Sequence, residues 1–255
     1  MISRPTYPMK QKYVSATRAC AWTVLLAMFF GLVWAPLMHA QEPSTNSPPV
    51  SGGSSAHPAD TESELLSESY QDFMKGQLEV ALDKVNKVIQ LDSQNTQALL
   101  LRGAIYAGQK QWDKADYDYQ VALVIDPNSA ILKFDLADLK FMQKKYDDAR
   151  SGFVEIQNDK DLGDFATYKV FLCDLLGAHE DVAARELDAF DRVAGNPSYY
   201  FANAAWDLVH NKTEEAAGWL KSAKYIYADS PKKFATYTSS LTSLGYLPLH
   251  LSSTP

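Results

Sequence analysis

Residues 96–129 read TQALLLRGAIYAGQKQWDKADYDYQVALVIDPNS, and the spacing of small and large apolar residues in this stretch decides the fold. Gly103 and Ala115 are small enough to let two helix backbones approach closely, and the ring of Tyr119 fills the space one turn away. Pro127 ends the second helix, because proline lacks the amide proton and restricts the residue before it. The stretch therefore predicts two antiparallel helices.

The same pattern returns before and after this stretch at a nearly constant interval. Its alanine recurs after 34, 34, 34 and 33 residues, at Ala81, Ala115, Ala149, Ala183 and Ala216. Seven residues after each alanine comes Val88, Ala122, Ile156, Phe190 or Ala223. Three residues before it the first three units carry a large apolar residue, whereas units four and five carry Glu180 and Thr213. A fixed period predicts stacked supersecondary units, here five hairpins of which the first three are the most regular.

This spacing resembles the tetratricopeptide repeat (TPR), a helix–turn–helix unit of about 34 residues, and the resemblance covers residues 62–227. It implies an all-α fold, a right-handed superhelical array of about five TPR-like hairpins over residues 61–229. Residues 230–255 are expected to hold a closing helix and a tail, because an open end of the stack would leave apolar surface in water.

Several helix ends can be predicted from single residues. Asp164 is expected to cap the helix Phe165–Leu176, which Gly177 then ends. Ser230 is expected to cap the closing helix, whose first position is the proline that follows, and Lys232–Ser243 is amphipathic.

The N-terminal residues predict export. Residues 1–18 hold four basic residues and no acid, and residues 19–38 are almost wholly apolar. A basic segment, an apolar segment and the small residue Ala40 before Gln41 indicate a signal peptide over residues 1–40. An uncleaved signal anchor stays an alternative, because the apolar run approaches the roughly 20 residues that cross a bilayer. In both cases the basic end stays in the cytoplasm and the rest is exported.

The composition of the next stretch predicts a linker. Residues 41–60 read QEPSTNSPPVSGGSSAHPAD, rich in Pro, Ser and Gly with hardly an apolar side chain, so we expect them to be disordered. The last part of the array, including the tract Pro197–Tyr227, also resembles exported repeat proteins of Gram-negative bacteria. That resemblance implies the periplasm or the cell envelope as location, and it supplies no activity.

The charge of the exported part argues against nucleic acid as a partner. After residue 40 there are 20 basic and 31 acidic residues, a net charge of −11, and the two signs are interspersed. A protein that binds the phosphate backbone needs a basic stripe. Only Cys173 follows the export segment, so no disulfide framework is expected, and a lone thiol on an apolar helix indicates a buried core residue.

No motif of the sequence predicts catalysis. Of the five histidines, His39 leaves with the signal segment and His57 lies in the linker, and none belongs to an HExxH motif. The sequence has no Gly-rich phosphate loop and no GxSxG. We therefore expect no catalytic residue, no cofactor and no metal site.

A binding groove is the sharper hypothesis, and it comes from the resemblance. In TPR arrays the first helix of each hairpin lines the concave surface. Carried over by spacing, this implies a largely apolar row formed by Tyr70, Phe73, Leu100, Ala107, Phe134, Asp138, Phe141, Tyr168, Leu172, Leu175, Phe201, Ala205 and Leu208. We predict a groove for an apolar or amphipathic segment, such as a partner helix. Alternatively, these rings pack helix against helix, or the chain's own linker or closing helix covers them.

These features together predict a non-catalytic scaffold or adaptor for a protein or peptide partner, exported to the periplasm or envelope. The alternative is a membrane-tethered structural or assembly component, in which the apolar segment is retained and the array mainly self-associates.

Overall fold

A computed structural model describes residues 58–190 and 196–246, so the predicted signal segment and most of the predicted linker and tail lie outside the described residues. The described residues form eleven α-helices. They are α1 Pro58–Met74, α2 Leu78–Leu91, α3 Thr96–Gly108, α4 Trp112–Ile125, α5 Ala130–Met142, α6 Tyr146–Val154, α7 Gly163–Leu176, α8 Glu180–Ala189, α9 Ser198–Val209, α10 Thr213–Ile226 and α11 Pro231–Ser243.

The helices pair in sequence order as five hairpins, from α1 with α2 to α9 with α10. Each of the first three hairpins stacks on the next through its second helix, and α7 also contacts α9. We call the side of the stack formed by α1, α3, α5, α7 and α9 the first-helix face. The prediction of an all-α array of helical hairpins is confirmed.

The repeated alanines lie where the two helices of a hairpin cross. All five of them, Ala81 to Ala216, have no exposed surface. Gly103 shows how close the helices come, because a Cβ added there would lie 2.4 Å from the ring of Tyr119. The small residues therefore set the separation of the helices, as the spacing predicts.

Four of the five hairpin turns use one left-handed residue at the same place in the repeat: Gly76, Lys110, Lys144 and Asn211, with φ between 59° and 75°. In each case the next amide closes the end of the first helix. The Lys145 amide, for example, donates to the carbonyl of Lys140 at 3.0 Å. Three of these four turns lack the glycine that the conformation favours.

The fourth hairpin departs from the sequence prediction at its start. Asp164 lies inside the first turn of α7 and does not cap it, so that prediction is wrong. Asp159 supplies the polar contacts just ahead of the helix, because its Oδ1 accepts from the amides of Asp161 and Leu162 at 2.9 and 2.8 Å. The turn formed this way starts α7 at Gly163, earlier than predicted.

The second helix of this hairpin is also short. Helix α8 ends at Ala189, one residue before Phe190, much as α6 ends at Val154 ahead of Ile156 in the third hairpin. Phe190 turns out of the helical path and packs edge-on against Phe171, with ring centroids 5.5 Å apart. The oversized ring is accommodated because the helix has already ended.

A polar pair occupies the place where Glu180 replaces the expected apolar residue. Glu180 Oε1 lies 2.8 Å from Nε2 of His210, and the carbonyl of Trp206 lies 2.7 Å from Nδ1. Both partners are acceptors, so the ring satisfies them together only as the imidazolium. The Trp206 carbonyl and then Glu180 raise the pKa of His210. The pair joins α8 to α9, so a charged contact links two hairpins here.

We predict that Lys144→Gly stabilises the protein by about 0.5–1 kcal/mol, because a non-glycine residue in the left-handed region carries a steric cost. Urea unfolding followed by circular dichroism measures this. The matched control is Lys221→Gly, in the exposed middle of α10, which should destabilise by about 1 kcal/mol. A loss of stability in both variants contradicts the prediction.

Candidate functional site: the first-helix face and helix α11

Helix α11 begins at Pro231, with Ser230 in the N-cap position, as the sequence predicts, although the Ser230 side chain makes no capping bond. We predicted that this helix covers the final hairpin. It contacts α9 of that hairpin, and its Tyr237 also reaches α7 of the hairpin before. Beyond its far end, Tyr246 contributes, after burial, to the raised pKa of Tyr146 at the start of α6. The closing helix itself contacts the first helices of two hairpins, α7 and α9.

Tyr237 is the centre of the contact between α11 and the first-helix face. Its ring centroid lies 4.9 Å from that of Phe165, 5.0 Å from Tyr168 and 5.2 Å from Phe201. Phe234, one turn earlier, lies 5.6 Å from Phe201. These separations are in the favourable range for aromatic pairs. An aromatic cluster thus joins α7, α9 and α11.

One hydrogen bond orients the central tyrosine. The Tyr237 hydroxyl lies 3.0 Å from Oγ of Ser198, whose own hydroxyl is 3.2 Å from the carbonyl of Asp164. Burial raises the pKa of Tyr237, an effect that the Ser198 bond partly offsets, so the ring is neutral and its hydroxyl is available for this bond. A buried tyrosine hydroxyl without a partner would be costly, and Ser198 supplies one.

The middle of α11 is enclosed. Six consecutive residues, from Tyr237 to Thr242, are all buried. Six residues cover more than one full turn, so no side of this segment faces water. A helix that closes the end of a stack keeps one side in solvent. Helix α11 is therefore more deeply buried over this segment than a helix that only closes the end of the stack.

Helix α7, which carries two rings of the aromatic cluster, also carries one member of a buried ion pair. Lys169 of α7 is 1% exposed, and its Nζ lies 2.5 Å from Oδ1 of Asp138 on α5. The same Nζ is 3.8 Å from the ring centroid of Phe141 and 5.6 Å from that of Phe153. The carboxylate and the two ring faces replace the water that the ammonium loses on burial. This pair joins the first helices of hairpins three and four.

A second buried carboxyl, Asp135, lies on the same helix as Asp138. Burial, and after it the charge of Asp138, raises the pKa of Asp135 well above its usual range. Among the described residues its Oδ2 has no hydrogen-bond partner. Burial and the nearby carboxylate of Asp138 therefore both favour the neutral form of the Asp135 carboxyl.

The predicted groove residues fall into two groups. Eight of the thirteen are large or charged residues that are buried: Phe73, Leu100, Phe134, Asp138, Phe141, Tyr168, Leu172 and Phe201. Tyr70 and Leu208 are partly exposed. Burial raises the pKa of Tyr70 to about 12. Ala107, Leu175 and Ala205 are buried as well.

The buried rings pack helix against helix, and some of them form the surface on which α11 lies. We call this surface, formed by Phe165, Tyr168, Ser198 and Phe201, the seat of α11. Phe134 stacks on Phe165 at 5.4 Å and meets Phe153 at 5.1 Å. Tyr168 and Phe201 face Tyr237. The alternative stated from the sequence, that the chain's own closing helix covers these rings, describes the arrangement at α7 and α9.

Sequence reasoning missed Lys169, Phe165 and Ser198. Phe165 and Ser198 occupy the same place in the repeat, three residues before Tyr168 and Phe201, so the spacing that selected those two residues could have found them. Lys169 had a weaker signal: Asp138 stood alone among apolar groove positions, and a buried carboxylate calls for a cation nearby.

Residues 58–190 and 196–246 hold neither a grouping of metal ligands nor a membrane-spanning helix. No three His, Cys, Asp or Glu side chains are grouped so as to hold a metal ion. Nor does any helix in these ranges combine the length and apolar character that a membrane crossing requires.

Comparison with known proteins concerns the fold. No protein-family model matches the sequence, and no curated protein matches it. Among solved structures, PilF of Pseudomonas aeruginosa is similar with a TM-score of 0.53 and 15% identity, over 73% of this chain and 93% of that one. A crystal structure of MamA is similar over 64% of this chain and 96% of that one, with 20% identity and a TM-score of 0.48. The fold is TPR-like. At these identities the likeness to PilF supports the helical repeat array alone.

We predict that Lys169→Met destabilises the protein by about 3 kcal/mol, because Asp138 is left buried without its cation. Adding Asp138→Leu should recover most of this loss, since an apolar pair of similar volume needs no desolvation of charge. Urea unfolding of the single and double variants measures the coupling. Additive losses in the double variant show that the pair does not act as a unit.

We predict that Asp135 makes the protein less stable as pH rises. The raised pKa means that the folded state keeps a proton that the unfolded state releases above about pH 4, so the free energy of unfolding falls by about 1.4 kcal/mol per pH unit up to the raised pKa. Asp135→Asn should remove this slope, whereas Asp148→Asn, at an exposed site, should keep it. Urea unfolding from pH 5 to 9 tests this, and equal slopes in all three proteins contradict it.

Proposed function

We propose that this protein is an exported interaction scaffold or adaptor, without a catalytic step of its own, that binds an amphipathic helix of a partner protein on the first-helix face. The observation that carries the proposal is helix α11. It lies against α7 and α9 through an aromatic and hydrogen-bonded contact, so this face has the chemistry to hold a helix. Helix-in-groove recognition uses such apolar anchors spaced along one side of a helix.

The TPR-like fold supports a protein partner, because stacked hairpins present an extended surface to a second chain. Export rests on the N-terminal residues, whose basic and apolar segments are those of a signal sequence. The periplasm or envelope of a Gram-negative cell is the proposed location. The mass of the mature N-terminus tests this: cleavage after Ala40 gives a free adaptor, and retention of the apolar segment gives a tethered component.

The binding test must leave the core intact. Phe134 and Phe141 are 2% and 4% exposed, so polar substitutions there would disturb folding along with binding. Tyr70 and Leu208 lie on the first-helix face and keep partial exposure, so each can carry a photo-crosslinking amino acid. Tyr225 on α10 is 85% exposed and serves as the control position.

We predict that, in envelope extract, the crosslinker at Leu208 or Tyr70 captures a partner through a segment with apolar residues every three or four positions. The crosslinker at Tyr225 should not capture that segment. Mass spectrometry of the crosslinked peptides identifies the segment and its spacing. Crosslinks from Tyr225 alone place binding on the second helices and overturn the proposal. Crosslinks only to another copy of the chain favour the self-associating envelope component instead.

A further inference from the structure

The side chains that seat α11 form a short recognition pattern. Phe234, Tyr237 and Leu241 are spaced at i, i+3 and i+7, which places them on one side of the helix. Phe234 and Tyr237 contact the rings of α7 and α9, and Leu241 has no exposed surface. This spacing is that of the apolar anchors by which a helix binds in a groove.

The remaining buried residues of α11 are small and polar, and most are satisfied within the helix. The hydroxyls of Thr238, Ser239 and Thr242 donate to carbonyls of α11 itself at 2.8, 2.7 and 3.0 Å. These bonds lie within α11, so they stay intact when the helix leaves the face. Its departure therefore leaves none of these three hydroxyls unpaired. Serine and threonine are also weak helix formers, because they bond to their own backbone. The helical conformation of α11 therefore depends on contacts with the seat, and most of these contacts are between aromatic rings.

The bond between Tyr237 and Ser198 is different, because it joins α11 to the face itself. The Ser198 hydroxyl also donates to the Asp164 carbonyl, so a helix that replaced α11 would gain one further hydrogen bond, to the Ser198 oxygen, if it carried a hydroxyl at the same place. Tyrosine at the central position meets both needs, since it supplies a ring for Phe165, Tyr168 and Phe201 and a hydroxyl for Ser198.

We propose, on the basis of the function proposed above, that α11 is an internal competitor for the groove and that the partner is a helix of the same pattern. That helix carries an aromatic residue, a tyrosine three residues later and a leucine four residues after that, and it takes the place of α11. The apparent affinity for such a helix is reduced by the fraction of molecules in which α11 is seated. Weakening α11 raises that affinity without any change in the face.

The test uses the full chain and a labelled synthetic peptide of residues 230–246, whose binding is followed by fluorescence anisotropy. Wild-type protein should bind the peptide weakly. Tyr237→Ala, which removes the central anchor of α11, should bind it at least tenfold more tightly. Tyr225→Ala, at an exposed ring of α10, is the matched control and should bind as the wild type does. A peptide with alanine in place of its tyrosine should bind none of the three proteins.

A second variant covers the case in which Tyr237→Ala fails to fold, which circular dichroism would reveal. Ser198→Ala removes only the hydrogen bond to Tyr237 from the face and should weaken the seat of α11. The original peptide loses the same bond to Ser198, so its affinity for this variant should stay near the wild-type value. A peptide with phenylalanine in place of tyrosine should bind Ser198→Ala as tightly as the original peptide does. A clear preference for the tyrosine peptide in this variant overturns the assigned seat.

The outcomes separate this inference from the proposed function. Equal peptide affinity in wild type and folded Tyr237→Ala overturns the competition, even where the photo-crosslinking finds a partner on the face. Tight peptide binding by Tyr237→Ala with no partner crosslinked at Leu208 or Tyr70 supports the competition and overturns the proposed function. A concentration-dependent dimer of Tyr237→Ala, seen by sedimentation, means that the helix of a second copy enters the groove, and it overturns the assignment of a different partner protein.

Discussion

The close crossing of two helices at the repeated alanines is the constraint on which the structure depends. Ala81 and its four counterparts have no exposed surface, and the crossing at Gly103 leaves no room for a methyl group beside Tyr119. A larger residue at any of these crossings would push the helices of a hairpin apart. Because each hairpin buries its apolar side only against its neighbours, a shift in one crossing passes to the next. The first-helix face is therefore placed by residues that lie beneath it.

The fold could be predicted largely from the sequence, because the interval between alanines and the turn positions repeat. Local departures from the repeat could not be predicted in this way. Asp164 has the chemistry of a cap, yet the helix starts at Gly163, because Asp159 takes the amides just ahead of it. Phe190 looks too large for a crossing, and the chain avoids the conflict by ending α8 one residue earlier. Such outcomes depend on competition between neighbouring residues, which a repeat pattern averages out.

The candidate site could be predicted only in part, and the reason is physical. Periodicity assigns residues to the first-helix face, but it does not say what covers them. The contact of Tyr237 with α7 and α9 joins residues far apart in a segment that does not repeat. The pair of Lys169 with Asp138 likewise joins residues 31 apart, outside the period. Both contacts belong to tertiary packing, which overrides the pattern of any single helix.

The seat of α11 also changes how the array should behave as a whole. In a stack of hairpins, stability is a sum of units and the interfaces between neighbours, so distant hairpins are only weakly coupled. Helix α11 adds contacts that hold α7 and α9 together from outside the stack. If it leaves without a replacement, the cluster of Phe165, Tyr168 and Phe201 is opened to water. A partner helix that brings its own ring restores that burial, so exchange of one helix for another costs far less than simple release. The first-helix face is therefore better suited to the exchange of one helix for another than to exposure to water. The incoming helix must supply an aromatic anchor.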